Sequence, residues 1–306
     1  MLTSLYEEAA KKKGLIQEEI QEIDNSDFDI NKFWNFDYIE PSNDNKLKIA
    51  AGDGSYSSKK FLGFNIYAVA ALGLIFDGDR LDNIENIELD ATYHQKFLTD
   101  KLRAKMSIFE IENAIKAIEE KDVDYYMIDG SLLGDIIRPA PNDKDLQKLY
   151  IEKLDNLANI LKYKDKMIAI SKTSTSNDYF NNNIPDMSIF ERFNKMEGYS
   201  NPKYINVNSQ VKREFMIHDG FFKSLDFTIF YIRLDDYKNI LKVELPYKAD
   251  NDEVEEIISI IKRDSVEGYP YLLKKAHQDV IIRNSDINDL SKILGLYEKT
   301  GREMLN

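Results

Sequence analysis

The sequence predicts an α/β protein, a mixed sheet flanked by helices with an N-terminal helical segment and further helices at its C-terminus, and three observations predict it. Short apolar runs alternate with longer amphipathic segments through the middle of the chain. Three strand-like runs precede the first long helix. Two of the runs end on the same tripeptide, Asp-Gly-Ser, at residues 53–55 and 129–131.

Residues 3–23 mix Leu5, Ala9, Leu15 and Ile20 with Glu and Lys, the pattern of an amphipathic helix, or of a pair broken at Gly14. Residues 24–46 are polar with scattered aromatics and read as a loop anchored by Phe33 and Trp34. Strands follow at "KLKIAAGDG", at the run from Phe61 to Phe76 and at residues 84–90, close enough together to pair antiparallel. The Phe61 run carries Asn65 and two glycines and is short for a membrane helix, so it reads as a buried strand. Residues 92–121 lack Gly and Pro and space Phe97, Met106, Ile108, Ile111, Ile115 and Ile118 at three- and four-residue intervals, which predicts a helix. "DYYMIDG", "DKDLQKLYIEKLDNLANILKY" and "KMIAISK" then alternate as strand, helix and strand, as a parallel pair requires. Residues 173–222 show no clear period and read as an insertion. Residues 227–234 and 240–246 read as a hairpin, followed by two helices.

Three strands, helix, strand, helix, strand is the order of a ribonuclease-H-like sheet, here spanning residues 47–306 after an N-terminal segment of residues 1–46. In that order the first and fourth strands lie side by side, so Asp53 and Asp129 are expected at one sheet edge, where ligands of α/β proteins bind. A single Asp-Gly would read as turn chemistry. Two at strand ends read equally as a site.

The chain has 306 residues, 43% hydrophobic and 31% charged, ordinary values for a globular protein. It has no Cys, which excludes disulfides, thiolate metal sites and Cys nucleophiles and suits the cytoplasm. The N-terminus is charged throughout and has no signal-peptide core. A net charge of -13 argues against a broad nucleic-acid-binding face, since such faces neutralise phosphates with Lys and Arg. It leaves a nuclease open, because bound divalent ions invert the local field.

Adjacent carboxylates repel without a cation and suit hard divalent ions, which take oxygen ligands. Glu110 and Glu112 both lie on the long helix, about 200° apart, so one of the two can face the site. His277, in "LLKKAHQDVIIR", reads either as a ligand or phosphate-positioning group or as a half-buried histidine paired with a carboxylate. Lys172, ending "MIAISK", reads as a phosphate contact or a surface lysine. His94 and His218 have no comparable context.

Taken in order, "AGDGS", "FEIENA", "MIDGSLL", "ISKTS" and "PYLLKKAHQDV" resemble the NurA nuclease family over residues 47–283. The resemblance implies a DNA nuclease dependent on Mn²⁺, with Mg²⁺ as the alternative, that is homodimeric and partnered by the hexameric HerA ATPase in DNA end resection and double-strand break repair. It implies Asp53, Glu110 and Asp129 as metal ligands, Lys172 as a phosphate contact, and His277 as a ligand or catalytic-site residue. The N-terminal segment and the aromatic-rich residues 179–199 offer material for the dimer interface, and the aromatic residues read equally as caps on the sheet. The competing readings are an actin-like ATPase or sugar kinase, which would need a duplicated second half that the chain lacks, and a non-catalytic interaction module.

Overall fold

The computed structural model describes residues 2–24, 29–44, 46–93, 96–181 and 183–296, so His94 lies outside the described residues. The strands are β1 (Trp34–Asn35), β2 (Ile49–Lys60), β3 (Phe64–Phe76), β4 (Leu81–Tyr93), β5 (Tyr125–Asp129), β6 (Met167–Ser171), β7 (Gly198–Ser200), β8 (Lys203–Asn206), β9 (Asp226–Arg233), β10 (Leu241–Leu245), β11 (Ser265–Val266) and β12 (Tyr269–Pro270). The helices are α1 (Thr3–Asp24), α2 (Leu98–Lys121), α3 (Leu132–Ile137), α4 (Lys144–Ile160), α5 (Asp186–Phe193), α6 (Val207–Gln210), α7 (Asp219–Lys223), α8 (Asn251–Arg263), α9 (Tyr271–Val280) and α10 (Asn284–Ile293).

The main sheet runs β1-β7-β9-β10-β6-β5-β2-β3-β4, with β8 also paired to β9. Strands β2, β3 and β4 form an antiparallel meander, and β5 and β6 join it parallel to β2. This is the ribonuclease-H-like order that the sequence predicts. The expected hairpin of β9 and β10 forms too, but it lies within the sheet, because β10 also pairs β6.

Alternation along the strands divides two cores. Ala50, Tyr126 and Ala169 face one side and pack on α2 and α4, with Ile111, Ala114, Leu154 and Leu157. Ile49, Ala51, Met127, Ile168 and Ile170 face the other and pack on α8 and α9. The long helix α2 buries Ala104, Ile108, Ile111, Ala114 and Ile118 at three- and four-residue spacing, and it stops at Asp122, whose left-handed φ of 53° breaks the period.

One expectation needs correction. The first Asp-Gly-Ser does not end its strand: β2 continues through it to Lys60, paired with β3 all the way. Its pairing with β5 stops at Gly52, so the polar tail "SYSSKK" belongs to a strand with a neighbour on one side only. Residues 173–222, where the sequence shows no clear period, contribute α5, β7, β8, α6 and most of α7. Three aromatic residues of 179–199 take the second of their two readings. Tyr179, Phe180 and the fully buried Phe190 pack among Phe33, Trp34 and Tyr231 and cap the sheet. Helix α1 is continuous through Gly14, and its Leu5, Tyr6, Leu15 and Ile16 are exposed.

Candidate metal centre

The two Asp-Gly-Ser tripeptides do different work. At the second, Gly130 takes a φ of +125°, a conformation that favours glycine, and turns the chain off β5. Ser131 then caps α3, accepting from the Gly134 N–H at 2.9 Å. At the first, glycine is required by close approach. A Cβ on Gly54 would sit 2.5 Å from Met106 Cγ and 2.8 Å from Glu110 Oε1.

Register brings the acids together. Gly52 pairs with Ile128 across the parallel β2 and β5, so Asp53 and Asp129 are the next residues on each strand. Each continues the row that faces α9, Asp53 after Ile49 and Ala51, Asp129 after Met127. Lys172 extends the same row beyond Ile168 and Ile170 on β6. Helix α9 then lays His277 over the pair: its Nδ1 is 2.6 Å from Asp53 Oδ2, and Lys172 Nζ is 2.6 Å from Asp129 Oδ2. One ligand atom from each of Asp53, Asp129 and His277 lies within 4.8 Å of the others.

Glu110 reaches the cluster from the other side of the sheet, on α2, across the bare backbone of Gly54. It is not one of the three groups that share the 4.8 Å cluster. Burial, followed by the charges of Asp53, Asp135 and Asp129, pushes its carboxyl well above the usual carboxylate range, against the pull of Lys153. Glu112 points elsewhere, accepting from Asn86 Nδ2 on β4 at 3.1 Å. The choice between the two glutamates therefore falls to Glu110 on geometry. His218 lies apart, 2.8 Å from Asp155 Oδ1 at the surface.

Several residues around the site were not anticipated. Tyr269 stands beside Asp129 and carries Lys172 Nζ 5.0 Å above its ring; burial and the charges of Asp129 and Asp53 raise its phenol pKa. Asp135 is held below the usual range: burial opposes this, but Lys153 at 3.0 Å and the Ser107 hydroxyl at 2.8 Å outweigh it. Glu244, fully buried on β10, accepts from Ser131 Oγ at 2.7 Å and the Leu133 N–H at 3.0 Å, and pairs with Lys242 at 3.0 Å. It thereby fixes the turn that carries Asp129.

The donor set fits a divalent cation. It offers two carboxylates and an imidazole, with a third carboxylate behind Gly54, and this mixture suits Mn²⁺ or Mg²⁺. Burial first, and the neighbouring carboxylates after it, raise the pKa of Glu110 and, despite Lys172, that of Asp129; a cation would offset both causes.

The linkage has a definite sign. Glu110 has a folded pKa above its ordinary value of 4.5, so between those two values the folded state holds the extra proton and stability falls as pH rises. In chelator, the melting temperature should therefore fall as pH rises above the ordinary carboxylate range, and Glu110→Gln should flatten that fall. Equal slopes for wild type and variant would remove Glu110 as the cause.

Comparison with known proteins decides the family. The NurA domain model matches residues 47–282. The chain belongs to the NurA family. It is 25% identical to the probable DNA double-strand break repair nuclease NurA of Methanocaldococcus jannaschii, over 94% of this chain and 87% of that one. The crystal structure of the NurA nuclease from Sulfolobus solfataricus superposes with a TM-score of 0.83 at 23% identity, covering 96% of this chain and 97% of that one. A NurA structure bound to dAMP and manganese superposes with a TM-score of 0.69 at 14% identity over the whole of both chains. At these identities the structures establish the NurA fold. Among the described residues, no helix is long and apolar enough to cross a membrane.

Proposed function

We propose that this NurA-family chain is a divalent-metal-dependent deoxyribonuclease that trims DNA ends in double-strand break repair. The observation that carries the reading is the convergence of Asp53, Asp129 and His277 within 4.8 Å where β2 and β5 cease to pair. Family membership supports it, as do the relatives named as DNA double-strand break repair nucleases.

Asp53, Asp129 and His277 would hold the cation, with Glu110 completing the set from across Gly54. Bound there, a divalent cation neutralises charge on the phosphodiester and favours a water nucleophile at neutral pH. The chain's own residues do the remainder. The carboxylate of Asp53 orients the His277 ring through the 2.6 Å contact at Nδ1. The Lys172 ammonium, held between Asp129 and the Tyr269 ring, supplies fixed positive charge beside the scissile phosphate. The backbone turn at Gly130, anchored by Ser131 and Glu244, keeps Asp129 in register with Asp53.

His277→Ala should lower activity by at least about tenfold, the scale of lost metal-site partners, while leaving the melting temperature nearly unchanged because the ring is 50% exposed. A large stability loss with activity per folded molecule preserved would make it a structural histidine instead.

A homodimer and a HerA-type hexameric ATPase partner complete the proposal. The exposed Leu5, Tyr6, Leu15 and Ile16 of α1 support a protein contact, since an amphipathic helix gains stability by covering its apolar side. A cytoplasmic setting agrees with the Cys-free composition. Purified protein incubated with linear single- and double-stranded DNA, in Mn²⁺ or in EDTA, tests the activity. Cleavage in Mn²⁺ and none in EDTA is expected. Intact DNA alongside ATP hydrolysis would favour the kinase-like reading.

A further inference from the structure

A cleft of about 380 Å³ opens beside the acidic cluster, and its charge is opposite to that of the chain. Lys172, Lys238 and Lys274 line it against a single carboxylate, Glu267, with Tyr237 and Tyr269 as its aromatic members and His277 at its inner end. Lys172 is paired with Asp129 at 2.6 Å, so in a protein of net charge -13 the cleft's excess positive charge rests on Lys238. Glu267 is already held by Lys274 at 3.1 Å.

Two backbone features build the outer wall. Gly268, in the β11–β12 turn, has a φ of +77°, and a Cβ there would lie 2.6 Å from Lys238 Cβ. The glycine thus seats the Lys238 stem against the turn and leaves its ammonium at the cleft. Tyr237 stands at the tip of the β9–β10 connection with a left-handed φ of 60°, fixed by its N–H donating to Lys195 O at 2.8 Å. The residue is 78% exposed, so burial does not explain an aromatic side chain in that conformation.

Resting on the reading of the acidic cluster as a phosphodiester-cleaving site, we propose that this cleft is a subsite for one unpaired nucleotide of the substrate strand. Lys238 meets a backbone phosphate next to the scissile one, and the base stacks on Tyr237. Stacking suits an enzyme that must accept any sequence, because every base offers a π face. The volume lies at the low end for small-ligand sites, which fits one nucleotide rather than a base pair. The reversal of charge gives the acidic protein a local hold on DNA where a broad basic face is missing.

An abasic scan tests the subsite. Labelled oligothymidylates carry a single abasic sugar moved stepwise along the strand, and kcat/KM is measured in Mn²⁺. Wild type should lose about tenfold in kcat/KM when the abasic sugar sits at one fixed distance from the cut bond. Tyr237→Ala should lose about tenfold on intact DNA and be indifferent to the abasic sugar at that position, whereas Tyr237→Phe should behave as wild type. Lys238→Met, which keeps the packed stem, should lower the slope of log affinity against log salt by about one. Mn²⁺ affinity measured by electron paramagnetic resonance should be unchanged in all three, separating the subsite from the cation site. A wild type that cuts DNA with a flat scan, or Tyr237→Ala cutting intact DNA like wild type, would overturn the subsite alone. A wild type that cuts no DNA would overturn the nuclease reading beneath it.

Discussion

Asp53→Asn should abolish Mn²⁺-dependent DNA cleavage, with a loss greater than the roughly 10–100-fold typical of removing a residue one step further from a metal. The variant keeps the shape of the side chain. It removes the charge that sits at the centre of the cluster, between the Asp129 carboxylate and the His277 ring. It also leaves His277 with an amide partner that orients the ring less strongly. Folding should survive, because Asn fills the same buried position in β2 and losing one like charge relieves Glu110 and Asp129. Circular dichroism and a melting curve in chelator check the fold, and a gel assay with linear DNA checks cleavage. Wild-type cleavage by Asp53→Asn would remove the site.

Glu244→Ala should produce the largest stability loss, about 3–5 kcal/mol, because it strands a buried charge. Lys242 is 3% exposed and pairs with Glu244 at 3.0 Å. Its remaining contact is the Ser176 hydroxyl at 3.1 Å. The same substitution strips the Leu133 N–H and the Ser131 hydroxyl of their acceptor at the start of α3. Lys242→Met combined with Glu244→Leu should lose much less, since a matched apolar pair leaves no charge unpaired. Urea unfolding of both variants reads the difference. A single variant within about 0.5 kcal/mol of wild type would mean that the pair carries no more weight than a surface contact.

What the sequence disclosed follows from which physical signals are local. Strand order and the meeting of Asp53 with Asp129 were legible because alternation and element order depend on neighbours along the chain. The true extent of β2 was not. Its tail is polar because β5 stops pairing at Gly52, a fact of sheet topology rather than of local sequence. Glu244 and Lys242 escaped notice for the same reason: "LKVEL" reads as a hairpin strand with a solvated polar face, yet β10 is central between β9 and β6 and that face is buried. Tyr269 and Tyr237 sit in short turns where no period marks them. Glu110 could not be separated from Glu112 by helical spacing. The bare backbone of Gly54, beneath which α2 passes, separates them.

The most direct test of the cation site is an anomalous difference map at the manganese edge from crystals soaked in MnCl₂. The account predicts a peak within ligand distance of Asp53, Asp129 and His277, on the face of the sheet covered by α9. Manganese bound elsewhere, with no peak between those three side chains, would contradict it.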